Sequence, residues 1–475
     1  MTERTLSAGT PVPAAGSRPD RPGLVLATLL TCQLMIILDA TVMNVALPRI
    51  QADLHFSTTA LSWVMNGYTL VFGGLLLLGG RAGDLFGRRR LFVGGVALFT
   101  LASLAGGLAE SSTWLIVARV AQGLGAAAAG PSTLALLTTT FTDPQARIRA
   151  LALFSGMASA GLAVGLILGG LLTEWLSWRS VLFINVPFGL AAVAFAGRYL
   201  REPERRPARL DLPGAVTATG GVAALVYGFI RAAVHGWGDG LTVLSLGGGA
   251  VLLAAFLVIE TRAAQPLLPL RLFADRNRAA AYANFFLGPM AGMSMFYFLT
   301  QYLQEVRGFG ALSTGFAFLP TAVVVFTATR LVPWLLPRLG PKPVALTGTV
   351  ALVAGLVLLT RLTATTGYFP LVFGSMVLMG LGMGLAFAPL NVLVMATVAP
   401  RDAGAAGGVL QTMQQTGATL GLAILVTVFG TVTRGASGPP VEVLVSGMTA
   451  AFTASATVAA LTAVVALTFR RVRSG

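Results

Sequence analysis

Charged residues, cysteine, histidine and lysine are scarce in this sequence. Only 10% of its 475 residues are charged, whereas a soluble domain carries about 25%, which excludes an ordinary soluble globular protein. The single cysteine, Cys32, excludes an intrachain disulfide and a metal site built from several cysteines. With only two histidines as well, we predict no metal and no cofactor. The one lysine, Lys342, lies in GPKPV and not in the GxxxxGK[ST] loop that an ATP-driven pump needs, so such a pump is excluded.

Apolar residues dominate instead. Hydrophobic residues make up 55% of the chain, and the mean hydropathy is +0.81. Continuous apolar runs of about 20 residues match a helix that crosses ~30 Å of hydrocarbon, and they lack the alternation of barrel strands. The runs predict an all-α integral membrane protein. Pro131 and Pro389 interrupt two of the runs, but proline is tolerated inside membrane helices because neighbouring groups satisfy the freed backbone atoms. The fourteen predicted transmembrane helices lie near residues 24–47, 61–79, 91–109, 114–137, 150–172, 181–199, 213–232, 241–259, 280–303, 313–332, 343–362, 369–394, 405–430 and 445–469.

The distribution of basic residues predicts the topology. The formal net charge is +15, but the arginines are scattered between apolar runs, so we attribute the charge to topology and expect no nucleic-acid partner. Short basic loops stay in the cytoplasm. With the first loop outside, 24 basic residues fall inside, 6 outside and 2 within spans. This bias predicts a multi-pass protein of the cell membrane with both termini in the cytoplasm. Residues 1–22 are predicted to form a disordered cytoplasmic tail before the first helix.

The second half of the chain repeats features of the first. Gly340 in RLGPK lies 253 residues after Gly87 in FGRRR. Gly417 likewise lies 256 residues after Gly161. We therefore predict two six-helix bundles with two helices inserted between them, and transporters built from such halves bind substrate at the interface of the repeats. The predicted segments are the tail, 1–22, an N-terminal bundle, 23–200, a connector with two extra transmembrane helices, 201–279, and a C-terminal bundle, 280–475.

The segment GGRAGDLFGRRRL, from Gly79 to Leu91, resembles a known loop signature. The phrases LDATVMNVALPRI in helix 1, RVAQGLG in helix 4 and WRSVLFINVPFG in helix 6 extend the resemblance over nearly the whole chain. Together, on fourteen helices, they are similar to the fourteen-helix drug:proton antiporters of the major facilitator superfamily. The loop signature Gly-x-x-x-Asp-x-x-Gly-Arg-Arg/Lys is matched at Gly80, Asp84, Gly87, Arg88 and Arg89.

The resemblance implies the major facilitator fold and a transporter that is not an enzyme. The implied activity is proton-coupled secondary active export of small hydrophobic or cationic drugs or antibiotics by alternating access. The expected partners are this small-molecule substrate, protons and the lipid bilayer, and the monomer is the expected functional unit. Two alternatives of the same fold stay open, a dedicated exporter of one metabolite and a nutrient importer.

One acidic residue, Asp39, lies deep in a predicted span. It is about eight residues, or ~12 Å, from the outer end of predicted helix 1. Such a carboxylate is costly when it is charged and faces lipid, so it must face a cavity, be paired or be protonated. The alternative to proton binding is a hydrogen bond to neighbouring helices. The resemblance implies that Asp39, Arg119 and Gln122 form a proton-transfer site, while the alternative for Arg119 is a side chain that snorkels to the outer interface.

The loop between predicted helices 2 and 3 has two interpretations. Gly87 permits a close backbone approach, and Asp84 can interact with the N-terminus of another helix while Arg88 and Arg89 pair with acidic loops. In the resembled family, this loop is a latch that holds the cytoplasmic side closed. The alternative is a plain basic anchor at the inner membrane surface.

Predicted helix 5 carries small residues at a spacing of four. Such a ridge lets two helices approach closely. The antiporter signature of the resembled family has a proline directly after the second of these glycines, where this chain has Leu166, so the motif predicts close packing more firmly than the direction of transport. The ridge consists of Gly161, Gly165, Gly169 and Gly170.

Polar side chains at helical spacing suggest a substrate cavity. Each of them has an equally good alternative, because amides also join membrane helices for about 0.6–2 kcal/mol each. The predicted cavity residues are Asn44, Asn66, Tyr68, Tyr297, Gln301, Gln304, Gln411 and Gln414.

Overall fold

The computed structural model describes residues 21–202, 211–263, 265–396, 398 and 403–469. In these ranges the helices are joined by turns and short connections, and there are no strands. The chain forms fourteen long helical segments, with α6 broken at Ile184 and α10 at Phe318. They are α1 (Pro22–Leu54), α2 (Ser62–Phe86), α3 (Arg88–Gly107), α4 (Ser112–Thr140), α5 (Pro144–Trp175), α6 (Ser180–Tyr199), α7 (Leu212–His235), α8 (Gly240–Arg262), α9 (Arg276–Gln301), α10 (Ala311–Leu339), α11 (Pro341–Leu359), α12 (Phe373–Ala396), α13 (Ala403–Gly435) and α14 (Pro440–Leu467).

These segments confirm the all-α membrane fold. Among the described residues, twelve segments are long and apolar enough to cross a membrane. The other two, α5 and α9, have 32 and 26 residues and pack against α1 and α13, respectively. Most of the predicted tail, residues 1–20, lies outside the described residues, as do residues 203–210 of the connector.

Several helices extend beyond their predicted ends. The expected end of the first helix near residue 47 is wrong, because α1 continues through Pro48 to Leu54. The buried side chains of Ile50 and Leu54 extend its apolar face. Asp39 is therefore fifteen residues from the end of α1, or about 22 Å.

Two prolines lie inside helices, as the predicted spans have them. Both α4 and α12 continue through their prolines, Pro131 and Pro389. A proline inside a membrane helix is tolerated where neighbouring groups satisfy the freed backbone atoms.

The helices form two six-helix bundles with the same internal contacts. In the first, α1 packs on α5 and α6, and α4 packs on α2 and α3. In the second, α9 packs on α13 and α14, and α12 packs on α10 and α11. The inserted helices α7 and α8 pack against each other, and α7 also contacts α2 and α13. The major facilitator architecture expected from the sequence is thus present, while the segment bounds 23–200, 201–279 and 280–475 stay a prediction.

Close glycine contacts repeat between the bundles. A Cβ on Gly125 of α4 would lie 2.7 Å from the Gly95 oxygen of α3. A Cβ on Gly382 of α12 would lie 2.9 Å from the Gly348 oxygen of α11. Gly348 follows Gly95 by 253 residues, the offset that the sequence gives between the two inter-helix loops. In both bundles, the missing side chains let neighbouring backbones touch.

The bundles meet near one end of the molecule and along the α2–α13 boundary. We call the end where α1 begins and α14 ends the terminal face, and the opposite end the distal face. One apolar cluster near the distal face joins Val45 and Leu47 of α1 to Phe298 and Leu303 of the second bundle. Toward the terminal face, two further clusters each stay within one bundle. The bundles thus share this cluster in the distal half, and α2 also meets α13 closer to the terminal face, where a Cβ on Gly408 would lie 2.6 Å from Leu77.

The Gly95–Gly125 crossing generates a testable prediction. We expect Gly125→Ala to lower the free energy of unfolding of the purified protein by about 1–3 kcal/mol, because the new methyl group meets backbone atoms that cannot rotate away. Gly94→Ala is the matched control, since a Cβ at Gly94 meets nothing within 4 Å and alanine favours a helix over glycine by about 1 kcal/mol. The unfolding midpoints of both variants in detergent test the contact. Equal midpoints would contradict it.

Candidate functional site

The most deeply buried charges of the described chain form an ion pair between α1 and α4. Arg119 Nη1 donates to Asp39 Oδ2 at 2.5 Å, and both side chains are fully shielded from solvent. Burying one such charge alone costs several kcal/mol, so the two groups require each other. The structure thus brings together two residues that lie 80 positions apart in the sequence.

A glutamine fixes the geometry of this pair. Gln122 Nε2 donates to Asp39 Oδ1 at 2.9 Å, and Gln122 Oε1 accepts from Arg119 Nη1 at 2.9 Å. The same Nε2 donates to Ser103 Oγ of α3 at 2.8 Å. Because Gln122 follows Arg119 by nearly one helical turn, both side chains reach Asp39 from α4. The three residues predicted from the sequence are therefore in direct contact.

Two further groups complete the cluster, and residue-type reasoning missed both. Asn185 of α6 donates through Nδ2 to Asp39 Oδ1 at 3.2 Å. Arg119 Nε donates to the backbone oxygen of Val64 in α2 at 2.9 Å. Asn185 lies in the phrase WRSVLFINVPFG, so a signal for it was present in the sequence. No sequence pattern marks a backbone carbonyl such as that of Val64.

Tyr68 of α2 contacts the cluster through its ring. The Arg119 guanidinium lies 4.6 Å from the ring centroid, a cation–π contact. Gly123 permits this arrangement, since a Cβ there would lie 2.6 Å from the Tyr68 backbone oxygen. Arg119 Nη2 and the Tyr68 hydroxyl have no hydrogen-bond partner among the described residues. The site thus holds one carboxylate beside a cation that stays charged.

The loop signature is more compact than the sequence suggests. Asp84 lies in the last turn of α2 rather than in a loop, because only Gly87, at φ 107°, separates α2 from α3. Arg88 Nη2 donates to Asp84 Oδ1 at 2.6 Å. The carboxylate of Glu202 accepts from the backbone N–H groups of Arg89 and Arg90, at 3.2 and 3.4 Å.

The remaining signature residues lie beside these contacts. The Arg89 side chain donates to the backbone oxygens of Ala196 and Gly197 in α6. A Cβ on Gly80 would lie 3.7 Å from Pro131 of α4, an ordinary van der Waals distance. The signature therefore ties α2 to α3, α4 and the end of α6 within one bundle.

The glycines of α5 form two different contacts. Gly161, Gly165 and Gly169 pack against α1, and a Cβ on Gly169 would lie 2.9 Å from backbone atoms of Val42. Gly170 faces the other bundle, where its Cβ would lie 2.7 Å from the Ala311 oxygen of α10. The close packing predicted for this ridge is present, and it extends across the bundles at one position.

Two predicted cavity residues instead join the bundles near the distal face. The Tyr297 hydroxyl donates to the Thr58 backbone oxygen at 2.9 Å. Gln304 Nε2 donates to the Val45 backbone oxygen at 3.0 Å. In this conformation both side chains are engaged in distal contacts.

The other predicted cavity residues differ in their exposure. Asn44, Asn66 and Gln301 are buried, and each has a side-chain oxygen without a hydrogen-bond partner among the described residues. Gln414 of α13 is half-buried and Gln411 is exposed. Tyr68, as shown above, stacks on Arg119. Their part in a substrate cavity stays a prediction.

Comparison with known proteins identifies the family. Residues 29–422 match the family model described as Major Facilitator Superfamily. The chain belongs to the major facilitator superfamily. It is 43% identical to the cephamycin export protein CmcT of Amycolatopsis lactamdurans, over 88% of this chain and 86% of that protein. It is also 43% identical to the puromycin resistance protein pur8 of Streptomyces alboniger, over 85% of this chain and 81% of that protein.

A solved structure supports the same fold for this major facilitator protein. A bacterial homologue of the human lysosomal transporter Spinster, solved in an inward-facing and unoccupied conformation, superposes with a TM-score of 0.67. The match covers 97% of this chain and 100% of that chain at 18% identity. At this identity, the likeness bears on the fold alone.

The ion pair is confined to one half of the major facilitator fold. Gly165 packs on Thr41 of α1, and Gly421 packs in the same way on Met290 of α9. Met290 lies 249 residues after Thr41. By this offset, the counterpart of Asp39 in the second half is Gly288. The two halves thus share their packing but differ in their buried charge.

A double-mutant cycle tests the ion pair. We expect Arg119→Gln to destabilise the protein by about 3–5 kcal/mol, because it leaves the Asp39 carboxylate buried without a cation. Combining it with Asp39→Asn removes both charges and restores part of this loss. Thermal unfolding of the two single variants and of the double variant in detergent measures the coupling. Additive losses would show that the two side chains do not depend on each other.

Proposed function

We propose that this protein is a proton-coupled exporter of small hydrophobic or cationic drugs or antibiotics, working by alternating access in the cell membrane. The observation that carries the proposal is the buried cluster of Asp39, Arg119, Gln122 and Asn185 in a major facilitator fold. The terminal face is cytoplasmic in this proposal, as the bias in basic residues indicates, and the monomer is the working unit.

The substrate class is supported by the relatives. Two proteins that are 43% identical over more than four fifths of this chain are named for cephamycin export and for puromycin resistance. A third, 35% identical over 87% of the chain, is the tetracenomycin C resistance and export protein of Streptomyces glaucescens. These names favour export of antibiotic-like molecules over import of a nutrient.

Proton binding is assigned to Asp39 because it is the buried carboxylate that pairs with Arg119. Glu260, which is also buried, lies near the end of α8 and accepts from the backbone N–H groups of Leu267 and Leu268. Arginine stays protonated in proteins, so Arg119 cannot carry the proton. The two histidines, His55 and His235, lie at the distal ends of α1 and α7. Asp39 is buried, and its carboxylate is held by three side chains. It is therefore the group that can bind a proton on one side and release it on the other.

The contacts of Asp39 suggest how a proton drives the cycle. Protonation removes the negative charge that holds Arg119, so the bonds joining α1 to α4 weaken. Asn185 and Gln122 also bind this carboxylate, so α6 and α4 lose contacts together. A proton arriving from the outside thereby favours a rearrangement of the first bundle, and its release inside restores the ion pair.

Closure of the cytoplasmic side is assigned to the loop signature. In this conformation Asp84 binds Arg88, the first residue of α3, and one large apolar cluster joins the bundles in their distal half. The latch role stays with Asp84 and the arginines beside it, because they lie on the terminal face. Release to the outside requires this face to close and the distal contacts to open.

Resistance in a sensitive host tests export itself. We expect expression in an efflux-deficient host to reduce susceptibility to at least one member of a panel containing puromycin and lincomycin. An uncoupler abolishes the difference if protons drive export. Unchanged susceptibility to every compound would favour the importer or the dedicated metabolite exporter.

Asp39→Asn tests the proton carrier. The amide mimics a permanently protonated carboxyl group, so we expect flux of an exported compound driven by a pH gradient in reconstituted vesicles to fall at least tenfold, while exchange without a gradient persists. Glu110→Gln is the matched control, because Glu110 is exposed in the distal connection between α3 and α4. Undiminished gradient-driven flux in Asp39→Asn would assign the proton to another group.

A further inference from the structure

A carboxylate joins the two bundles at the distal face. Glu174, near the end of α5, accepts a hydrogen bond from the backbone N–H of Leu312 in the first turn of α10, at 2.6 Å between Oε2 and N. Glu174 is exposed, and the ion pairs of the described chain do not include it. Its carboxylate is therefore directed at the backbone of the opposite bundle.

Gly310 leaves room for this carboxylate. A Cβ on Gly310 would lie 2.6 Å from Glu174 Oε2. The backbone of Gly310 has φ −67°, which any residue adopts, so its conformation alone does not call for glycine. Because Gly310 has no side chain, the Glu174 carboxylate can approach its backbone closely.

Two close backbone contacts next to this hydrogen bond also join α5 to α10. A Cβ on Gly170 would lie 2.7 Å from the Ala311 oxygen, and a Cβ on Gly315 would lie 2.5 Å from the Leu166 oxygen. Leu166 occupies the position where the antiporter signature has proline. The two helices thus touch without side chains between their backbones, directly beside the Glu174 contact.

The Glu174 contact differs from the other distal hydrogen bonds between the bundles. The bonds of Tyr297 to Thr58 and of Gln304 to Val45 join neutral groups. A hydrogen bond with an ionised partner is roughly twice as strong as one between neutral groups. Among these described contacts, the Glu174 bond is the one whose strength depends on a charge.

We propose that Glu174 is a gating residue whose carboxylate, bound to the start of α10, holds the distal face closed in this conformation. The inference rests on the proposed alternating access. It assigns the outer gate to α5 and α10, where the glycines let the helices meet. Opening this gate breaks the bond from Leu312 before substrate leaves on the distal side.

Thiol labelling tests the gate without any transport assay. Cys32→Ser removes the single cysteine, and Val45→Cys places a reporter at a fully buried distal position beneath Gln304. In the purified full-length protein, we expect Glu174→Gln to raise the maleimide labelling rate of this cysteine on the order of tenfold, because a neutral amide oxygen replaces the charged acceptor and weakens the hydrogen bond. Glu110→Gln, the neutralised control on the same face, leaves the rate unchanged.

A second variant separates a gate from a general loss of structure. Gly310→Ala should raise the labelling rate by displacing the carboxylate, and its effect should be smaller in a protein that already carries Glu174→Gln, since both changes act on one hydrogen bond. Labelling rates equal to that of Glu110→Gln, or additive effects of the two variants, would overturn the gate. A loss of transport with unchanged labelling would also count against it. Because labelling needs neither substrate nor proton gradient, raised labelling in a protein without drug export would contradict the proposed function and leave the gate intact.

Discussion

The low polarity of a membrane interior is the constraint on which this structure depends. A carboxylate and a guanidinium cannot stay charged there unless they satisfy each other. Asp39 and Arg119 meet this requirement with Gln122, Asn185 and the backbone oxygen of Val64. The cluster thereby draws groups from α1, α2, α4 and α6 to one point. A change in the charge of one carboxyl group acts on four helices at once.

Close approach of backbones is the second physical basis of the fold. In lipid, the hydrophobic effect does not bring membrane helices together, so their association depends on van der Waals contact between closely packed helices. Glycines permit this close contact where α3 meets α4, where α1 meets α5, and at the equivalent places in the second bundle. The same device appears between the bundles, at Gly170 and Gly315. Packing that is rigid within a bundle is thus also used at a boundary that transport must open.

The two halves keep equivalent packing while their polar groups have diverged. Asp39 has Gly288 as its counterpart, and the distal bonds of Tyr297 and Gln304 come from the second half only. The first half holds the buried ion pair of Asp39 and Arg119, and the second half supplies the neutral side chains of these distal bonds. A pseudo-symmetric scaffold with asymmetric polar groups lets one half bind the proton while both halves move.

The sequence by itself determined the class, the number of helices and the residues of the ion pair. Apolar runs and basic loops follow from the energy of placing side chains in lipid, which is local information, and the motifs marked Asp39, Arg119 and Gln122. The tertiary structure decided which partners these residues have. It placed Asn185 beside Asp39, engaged Tyr297 and Gln304 in distal contacts, and brought Glu174 to the backbone of α10. Such contacts depend on how distant helices cross, and a backbone N–H or oxygen carries no mark in a sequence.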